Sequence, residues 1–280
     1  GVERDVTPED TLYYRKKFNF TKTGDRVLLH FGAVDWHAQV YVDGNFVGEH
    51  KGGYSPFLFD ITDQLASKCK HTLKLKVLDT TNQSWQPRGK QVNNPHGIWY
   101  TAVTGIWQTV WLEPVSESYV KTYLAVSDID NSTLKVNVDV KLQEGEVCRV
   151  ALLDKGVEVA SAEGADVTLD VPQMKLWSPD SPYLYDLEIS VLRDGKTLDK
   201  VKGYTAMRKI SYAADETGHK RLLLNNEPLF QFGPLDQGWW PDGLYTAPSD
   251  EALAFDIIKT KEMGYNRIRK HVKVEPARWY

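Results

Sequence analysis

Apolar and polar residues alternate along most of the chain with the two-residue period of a β-strand. Val27-Leu28-Leu29-His30-Phe31 reads as a strand, and Ala38-Gln39-Val40-Tyr41-Val42 alternates apolar with polar. Asp43-Gly44-Asn45 then turns the chain into Phe46-Val47-Gly48. Asp-Gly between alternating runs marks a hairpin, because the tight turn needs residues that accept positive φ. Residues 71–77 form another half-exposed strand, and Val110-Trp111-Leu112 closes the unit. Short strands separated by turns predict a sandwich or jelly roll over residues 1–115.

A second β-unit is expected over residues 116–211. Residues 134–140 alternate cleanly, and further strands follow at 148–153, 167–171, 183–192 and 200–210. That spacing fits an immunoglobulin-like sandwich, without the Cys…Trp…Cys pattern of the disulfide-bonded kind. From residue 212 the pattern changes. Asn225-Asn226 reads as the turn of a hairpin, residues 229–233 as a short buried strand, and residues 266–271 as a second strand. Between them, Ser249 is a good N-cap, Asp250 and Glu251 suit a helix start, Leu253, Ile257 and Ile258 share one face, and Gly264 ends the helix. Strand, helix, strand is a βαβ unit with a right-handed crossover. It predicts the start of an incomplete (β/α)8 barrel over residues 212–280, since closure takes eight strands and about 250 residues. The fold class expected is therefore mainly β: a jelly-roll sandwich, an immunoglobulin-like sandwich, then the opening of a barrel.

One segment resists periodicity. Residues 79–105 are polar and rich in Gly, Pro and Asn, yet they carry Trp85, His96 and Trp99. A loop this long inside a compact domain is functional or disordered, and aromatics are costly in a purely disordered one.

Charge narrows the partners. Both signs are interspersed to a net −4, and no basic block points to nucleic acid. No apolar run reaches the roughly 18 residues of a membrane span. The chain opens Gly1-Val2-Glu3-Arg4 without a signal peptide, and reads as one entered partway. Cys69 and Cys148 fall in different predicted domains and lack Cys/His spacing, so neither a disulfide, a metal site nor any cofactor is expected. Aromatic residues at 11%, with 9 Trp and 14 Tyr, suit both sheet cores and stacking on the apolar faces of sugars.

Several motifs, in a fixed order, resemble glycoside hydrolase family 2. Leu29-His30-Phe31-Gly32-Ala33-Val34-Asp35-Trp36, Val40-Tyr41-Val42-Asp43-Gly44 and Gly53-Tyr54-Ser55-Pro56-Phe57 resemble its sugar-binding domain. Thr104-Gly105-Ile106-Trp107 resembles the strand that ends that domain, and Leu176-Trp177-Ser178-Pro179 the signature of its immunoglobulin-like domain. Leu224-Asn225-Asn226-Glu227-Pro228 and Met263-Gly264-Tyr265-Asn266-Arg267-Ile268-Arg269 resemble the start of its barrel. Gly233-Pro234-Leu235-Asp236-Gln237-Gly238-Trp239-Trp240 with Lys270-His271-Val272-Lys273 is similar to a β-galactosidase-like, Bacteroidetes-type branch.

The resemblance implies a retaining β-glycosidase acting on carbohydrate, in the periplasm or outside a bacterial cell. Its two catalytic glutamates, about 5–5.5 Å apart, would sit on later barrel strands, so no catalytic residue is expected in this chain and the chain alone should be inactive. Asn226-Glu227 belongs to the hairpin turn. The substrate-binding residues implied are Arg269, which matches an arginine supporting the nucleophile, with Asp236, Trp240 and His271. The usual Ser-His-Tyr-Pro after the arginine is replaced by Lys-His-Val-Lys, which displaces the histidine by one position. The first domain is expected mainly to buttress the barrel, its loop between Trp85 and Trp99 reaching the rim. Two other readings stay open: a non-catalytic carbohydrate-binding or adhesion module, and a scaffold whose barrel lacks the glutamates. Unpaired strand edges in the last segment predict self-association into a homo-oligomer, or docking of that segment against the sandwich.

Overall fold

A computed structural model describes residues 6–21, 23–66 and 69–280; the opening Gly1-Val2-Glu3-Arg4 lies outside them. The chain is mainly β and divides into two compact units, one of residues 1–114 with 232–280, the other of residues 115–231. Residues 212–280 are thus shared between the units, divided at Phe232.

In the first unit a four-stranded antiparallel sheet runs in the order Thr11–Asn19, Lys70–Leu78, His37–Val42, Asn45–Lys51. A three-stranded sheet runs Val110–Val115, Arg26–Phe31, Phe57–Asp60. Alternate residues of both, among them Val27, Leu29, Phe31, Val40, Val42, Leu75 and Val77, bury one shared core. The hairpin at Asp43-Gly44 has positive φ at both residues (52° and 90°), as the alternation predicts. Asp43 also pins the turn from its side: its carboxylate accepts from the Thr72 amide at 2.8 Å and meets His71 Nδ1 at 2.8 Å. The Thr11–Asn19 strand escapes the sequence pattern because its Arg15-Lys16-Lys17 run breaks the alternation; it pairs only along Lys70–Leu78, where one open edge tolerates charge. Residues 79–105 remain largely irregular, with a short parallel pairing of Gln91–Val92 to Tyr100–Thr101.

In the second unit, sheets ordered Val120–Asp128, Thr133–Val140, Asp166–Asp170 and Val157–Glu163, Glu146–Asp154, Tyr185–Arg193, Lys196–Thr205 enclose a core of Leu134, Val136, Val150, Leu152, Leu187 and Ile189. Asn225 and Asn226 turn the later hairpin with φ of 53° and 71°.

Helix α1 spans Asp250–Glu262, with Ser249 Oγ accepting from the Ala252 amide at 3.2 Å and Gly264 beyond its end at φ 85°. Of the expected apolar face only Leu253 is buried, while Ile258 is exposed. The buried strand expected at 229–233 is not formed; Phe230 and Phe232 are exposed, and the strand is Leu235–Asp236. The second strand likewise shrinks from 266–271 to Arg269–Lys270. Asn266 accounts for the shift: its side-chain oxygen accepts from the Phe232 amide at 2.9 Å, where a strand would use a backbone carbonyl, while its own amide donates to Phe232 O at 3.0 Å. The two short strands pair in parallel, Leu235 with Arg269 and Asp236 with Lys270.

Candidate functional site

The parallel pair sorts the candidate residues onto two faces, because successive side chains on a strand point to opposite sides. Asp236 and Lys270 share one face, Leu235 and Arg269 the other. Asp256 on helix α1 lines one cavity with Asp236 and Lys270, without Arg269, and so identifies the first face. Its carboxyl is pushed above the usual carboxylate range, first by burial and then by the charge of Asp236, with Lys270 pulling it back down. Asp236 and Lys270 therefore look towards the helix, and Arg269, which is exposed, looks away from it.

Behind the strand ends lies an ion-pair cluster. Lys270 Nζ sits 2.7 Å from Asp236 Oδ2 and 2.6 Å from Glu275 Oε1, with the Trp279 ring centroid at 4.7 Å. Lys273 Nζ donates to the carbonyls of Gly238 and Tyr245, both at 2.7 Å, and lies 3.1 Å from Glu275 Oε1. Burial pushes the Lys273 ammonium below the ordinary lysine range, and the neighbouring Glu275 opposes that shift. The second Asp236 oxygen accepts from the Gly238 amide at 2.8 Å. Gly238 has φ 66°, and a Cβ there would come within 2.3 Å of Glu275 Oε1, so only glycine fits over the cluster.

Residues from the N-terminal part of the same unit close around these loops. Tyr54 and Tyr245 share a hydroxyl hydrogen bond of 2.8 Å. Gln91 Nε2 donates to Tyr245 at 3.1 Å and to Asp35 Oδ2 at 2.9 Å, while its carbonyl accepts from the Val103 amide. Tyr100 stacks on Trp239 at 4.4 Å, and Thr246 Oγ1 donates to the Trp107 carbonyl at 2.8 Å. Asp35 is almost wholly buried, and that burial, reinforced by the charge of Asp79 and only partly offset by Gln91, lifts its pKa to about 8. The carboxyl is neutral at pH 7. Burial likewise raises the Tyr54 and Tyr245 hydroxyls.

Asp236 and Trp240 line a cavity of about 770 Å³ together with Trp239, Phe255, Lys270 and Trp279; Arg269 and His271 do not line it. His271 is half-buried, and its amide donates to the Asp236 carbonyl at 2.8 Å. The lattice of Asp35, Gln91, Tyr245, Lys273 and Glu275 was not legible beforehand. Val272-Lys273-Val274-Glu275 alternates like an exposed strand, but here the charged residues are buried and Val274 is exposed. Among these buried carboxyls none is a free acid–base pair: Asp35 is protonated, and Asp236 and Glu275 are both bound to Lys270. The arrangement can position loops and bind polar groups. Among the described residues no cluster of His, Cys, Asp or Glu is suited to a metal ion, and no helix is long and apolar enough to cross a membrane.

Comparison with known proteins matches these units in order. Residues 3–106 match the family model described as glycosyl hydrolase 2 galactose-binding domain-like, and residues 104–208 that of glycosyl hydrolases family 2. A β-galactosidase of Thermoanaerobacter pseudethanolicus is 27% identical over 281 residues, covering 92% of this chain and 36% of that protein. A β-glucuronidase of Bacteroides fragilis is 26% identical over 281 residues, covering 93% of this chain and 39% of that protein. The solved β-glucuronidase from Ruminococcus gnavus superposes with a TM-score of 0.83 at 23% identity, covering 96% of this chain and 48% of that one, a likeness of fold. The chain spans about a third of the length of the curated relatives it matches.

Proposed function

From the premise that this chain belongs to glycosyl hydrolases family 2, we propose that it is the supporting front of a retaining β-glycosidase, β-galactosidase-like in preference. Bond cleavage in such an enzyme needs two carboxylates about 5–5.5 Å apart, one the acid/base and one the nucleophile. This stretch contributes binding and positioning, and the carboxylates come from the remainder of the enzyme. The observation that carries the reading is the convergence of N-terminal residues on the loops that follow the two parallel strands, with Tyr100 on Trp239 and Tyr54 near the Val272 carbonyl. Barrel active sites form at that end of the strands.

Arg269, exposed on the face away from helix α1, is suited to hydrogen-bond a carboxylate through its planar, permanently charged fork. His271 follows two residues later, where strand alternation brings it to the same side. Trp240 offers a ring at the cavity. Asp236 contributes through the loop it anchors, since both its oxygens are already engaged. Lys270 and Lys273 are each ion-paired, so their ammonium groups serve to hold the loops together.

The test is hydrolysis of aryl β-galactoside and aryl β-glucuronide by an enzyme carrying this chain with a complete barrel. The β-galactoside should turn over faster, Arg269→Met should cut kcat at least a hundredfold, and the 280-residue chain alone should be inert. Failure to cleave any β-glycoside would remove the enzymatic reading. Tight binding of soluble glycans by the chain alone would favour a carbohydrate-binding module instead.

A further inference from the structure

Resting on the glycosidase reading above, we propose that the turn carrying Trp85 is an aglycone subsite, a ring platform for the leaving-group sugar of a β-linked saccharide. Within this chain Trp85 is fully exposed, at 103% of its reference area, on a turn whose other side chains are hydrogen-bonded. Asp79, buried at the base of the loop, accepts from the Thr81 amide at 2.8 Å, from Gln86 Nε2 at 2.7 Å and from Thr104 Oγ1 at 3.0 Å. Ser84 Oγ is 2.5 Å from Thr80 Oγ1 and 3.0 Å from Gln86 Oε1. Both neighbours of Trp85 are therefore tied down while its indole faces water. Asn82 Oδ1 accepts from the Asn93 amide at 2.9 Å and joins the two limbs of the loop.

The loop is also located. Gly89, at φ 59°, packs so closely that a Cβ would lie 2.2 Å from the Val272 carbonyl oxygen. Tyr100 stacks on Trp239. Val272 follows one parallel strand and Trp239 the other, so two independent contacts hold the loop over their C-terminal ends. Arg88 lies 5.8 Å from the Trp99 ring centroid, a contact within the same loop. A turn already held by hydrogen bonds loses little backbone entropy on binding, and the flat face of its indole matches the apolar face of a pyranose. The leaving-group side suits it, because a platform on a loop outside the strand ends is reached by the part of the substrate that extends beyond the cleaved bond.

The experiment uses the complete enzyme with a β-linked disaccharide and with the corresponding β-glycosyl fluoride, whose leaving group has no ring. Trp85→Ala should lower kcat/KM for the disaccharide about tenfold and leave that for the fluoride within twofold. Trp85→Phe should restore most of the loss, and the melting temperature should not move. Equal effects on both substrates, or none on either, would overturn the proposal while leaving the glycosidase reading intact. A change of oligomeric state in Trp85→Ala would also overturn it, by making the indole a protein contact. A wild-type enzyme inactive on both substrates would remove the glycosidase reading, and the subsite with it.

Discussion

Asp35→Asn should make the protein more stable, by an amount that grows with pH. Asp35 is buried, and its carboxyl titrates at about 8 against an ordinary 3.8. Between those values the folded state holds a proton that the unfolded chain has released. Native stability therefore falls as pH rises across this window, at about 1.4 kcal/mol per pH unit for one proton. At pH 7 the accumulated penalty is about 4 kcal/mol, a large share of a typical 5–15 kcal/mol stability. Asparagine has no such titration and keeps a carbonyl oxygen to accept from Gln91 Nε2, now 2.9 Å from Asp35 Oδ2. Its NH2 takes the place of Oδ1, which has no partner, and this offset of about 1–3 kcal/mol does not vary with pH. The slope is thus the diagnostic quantity. Tryptophan fluorescence reports it well, because Trp177 is the only one of the 9 tryptophans in residues 115–231. Urea unfolding at pH 5, 6 and 7 should show the gap between variant and wild type widening by about 1.4 kcal/mol per unit. A gap that stays flat would mean that Asp35 is ionised in the folded protein, and the reasoning fails.

Lys273→Met should cost about 3–5 kcal/mol in denaturant unfolding, since it removes the donor to two backbone carbonyls and one partner of buried Glu275. Gly89→Ala should lift the loop off Val272, for steric reasons as well as its left-handed φ, and expose residues 82–99 to limited proteolysis well below the melting temperature. Leu187→Ala, fully buried between the sheets of the second unit, should cost about 2–5 kcal/mol and lower only that unit's transition in scanning calorimetry.

The cost of desolvating charges explains why the charged cluster is built as it is. Two ammonium groups and two carboxylates meet near Gly238, and each charge has a partner, which offsets the desolvation that would otherwise neutralise them. Replacing one member leaves another buried and unbalanced. Such a cluster fixes loop geometry rather than adding much net stability, a role suited to loops that frame a substrate pocket.

Local physics was enough for much of this protein. Alternation located the strands around Val40 and Val136, the Asp43-Gly44 and Asn225-Asn226 turns followed from tolerance of positive φ, and Ser249 and Gly264 bounded the helix. Each depends on neighbours a few residues away, which the sequence by itself displays. Where Phe230, Phe232, Lys273 and Glu275 reside depended instead on partners distant in the chain. Asn266 took the hydrogen bonds that a strand at 229–233 would have used, and the carbonyls of Gly238 and Tyr245 made a buried lysine tolerable. Asp35, Gln91 and Tyr245 are separated by more than fifty positions at every step, and only folding joins them. Periodicity records whether a position faces inward; it carries no record of what waits there, and for buried polar groups that unseen partner decides the outcome.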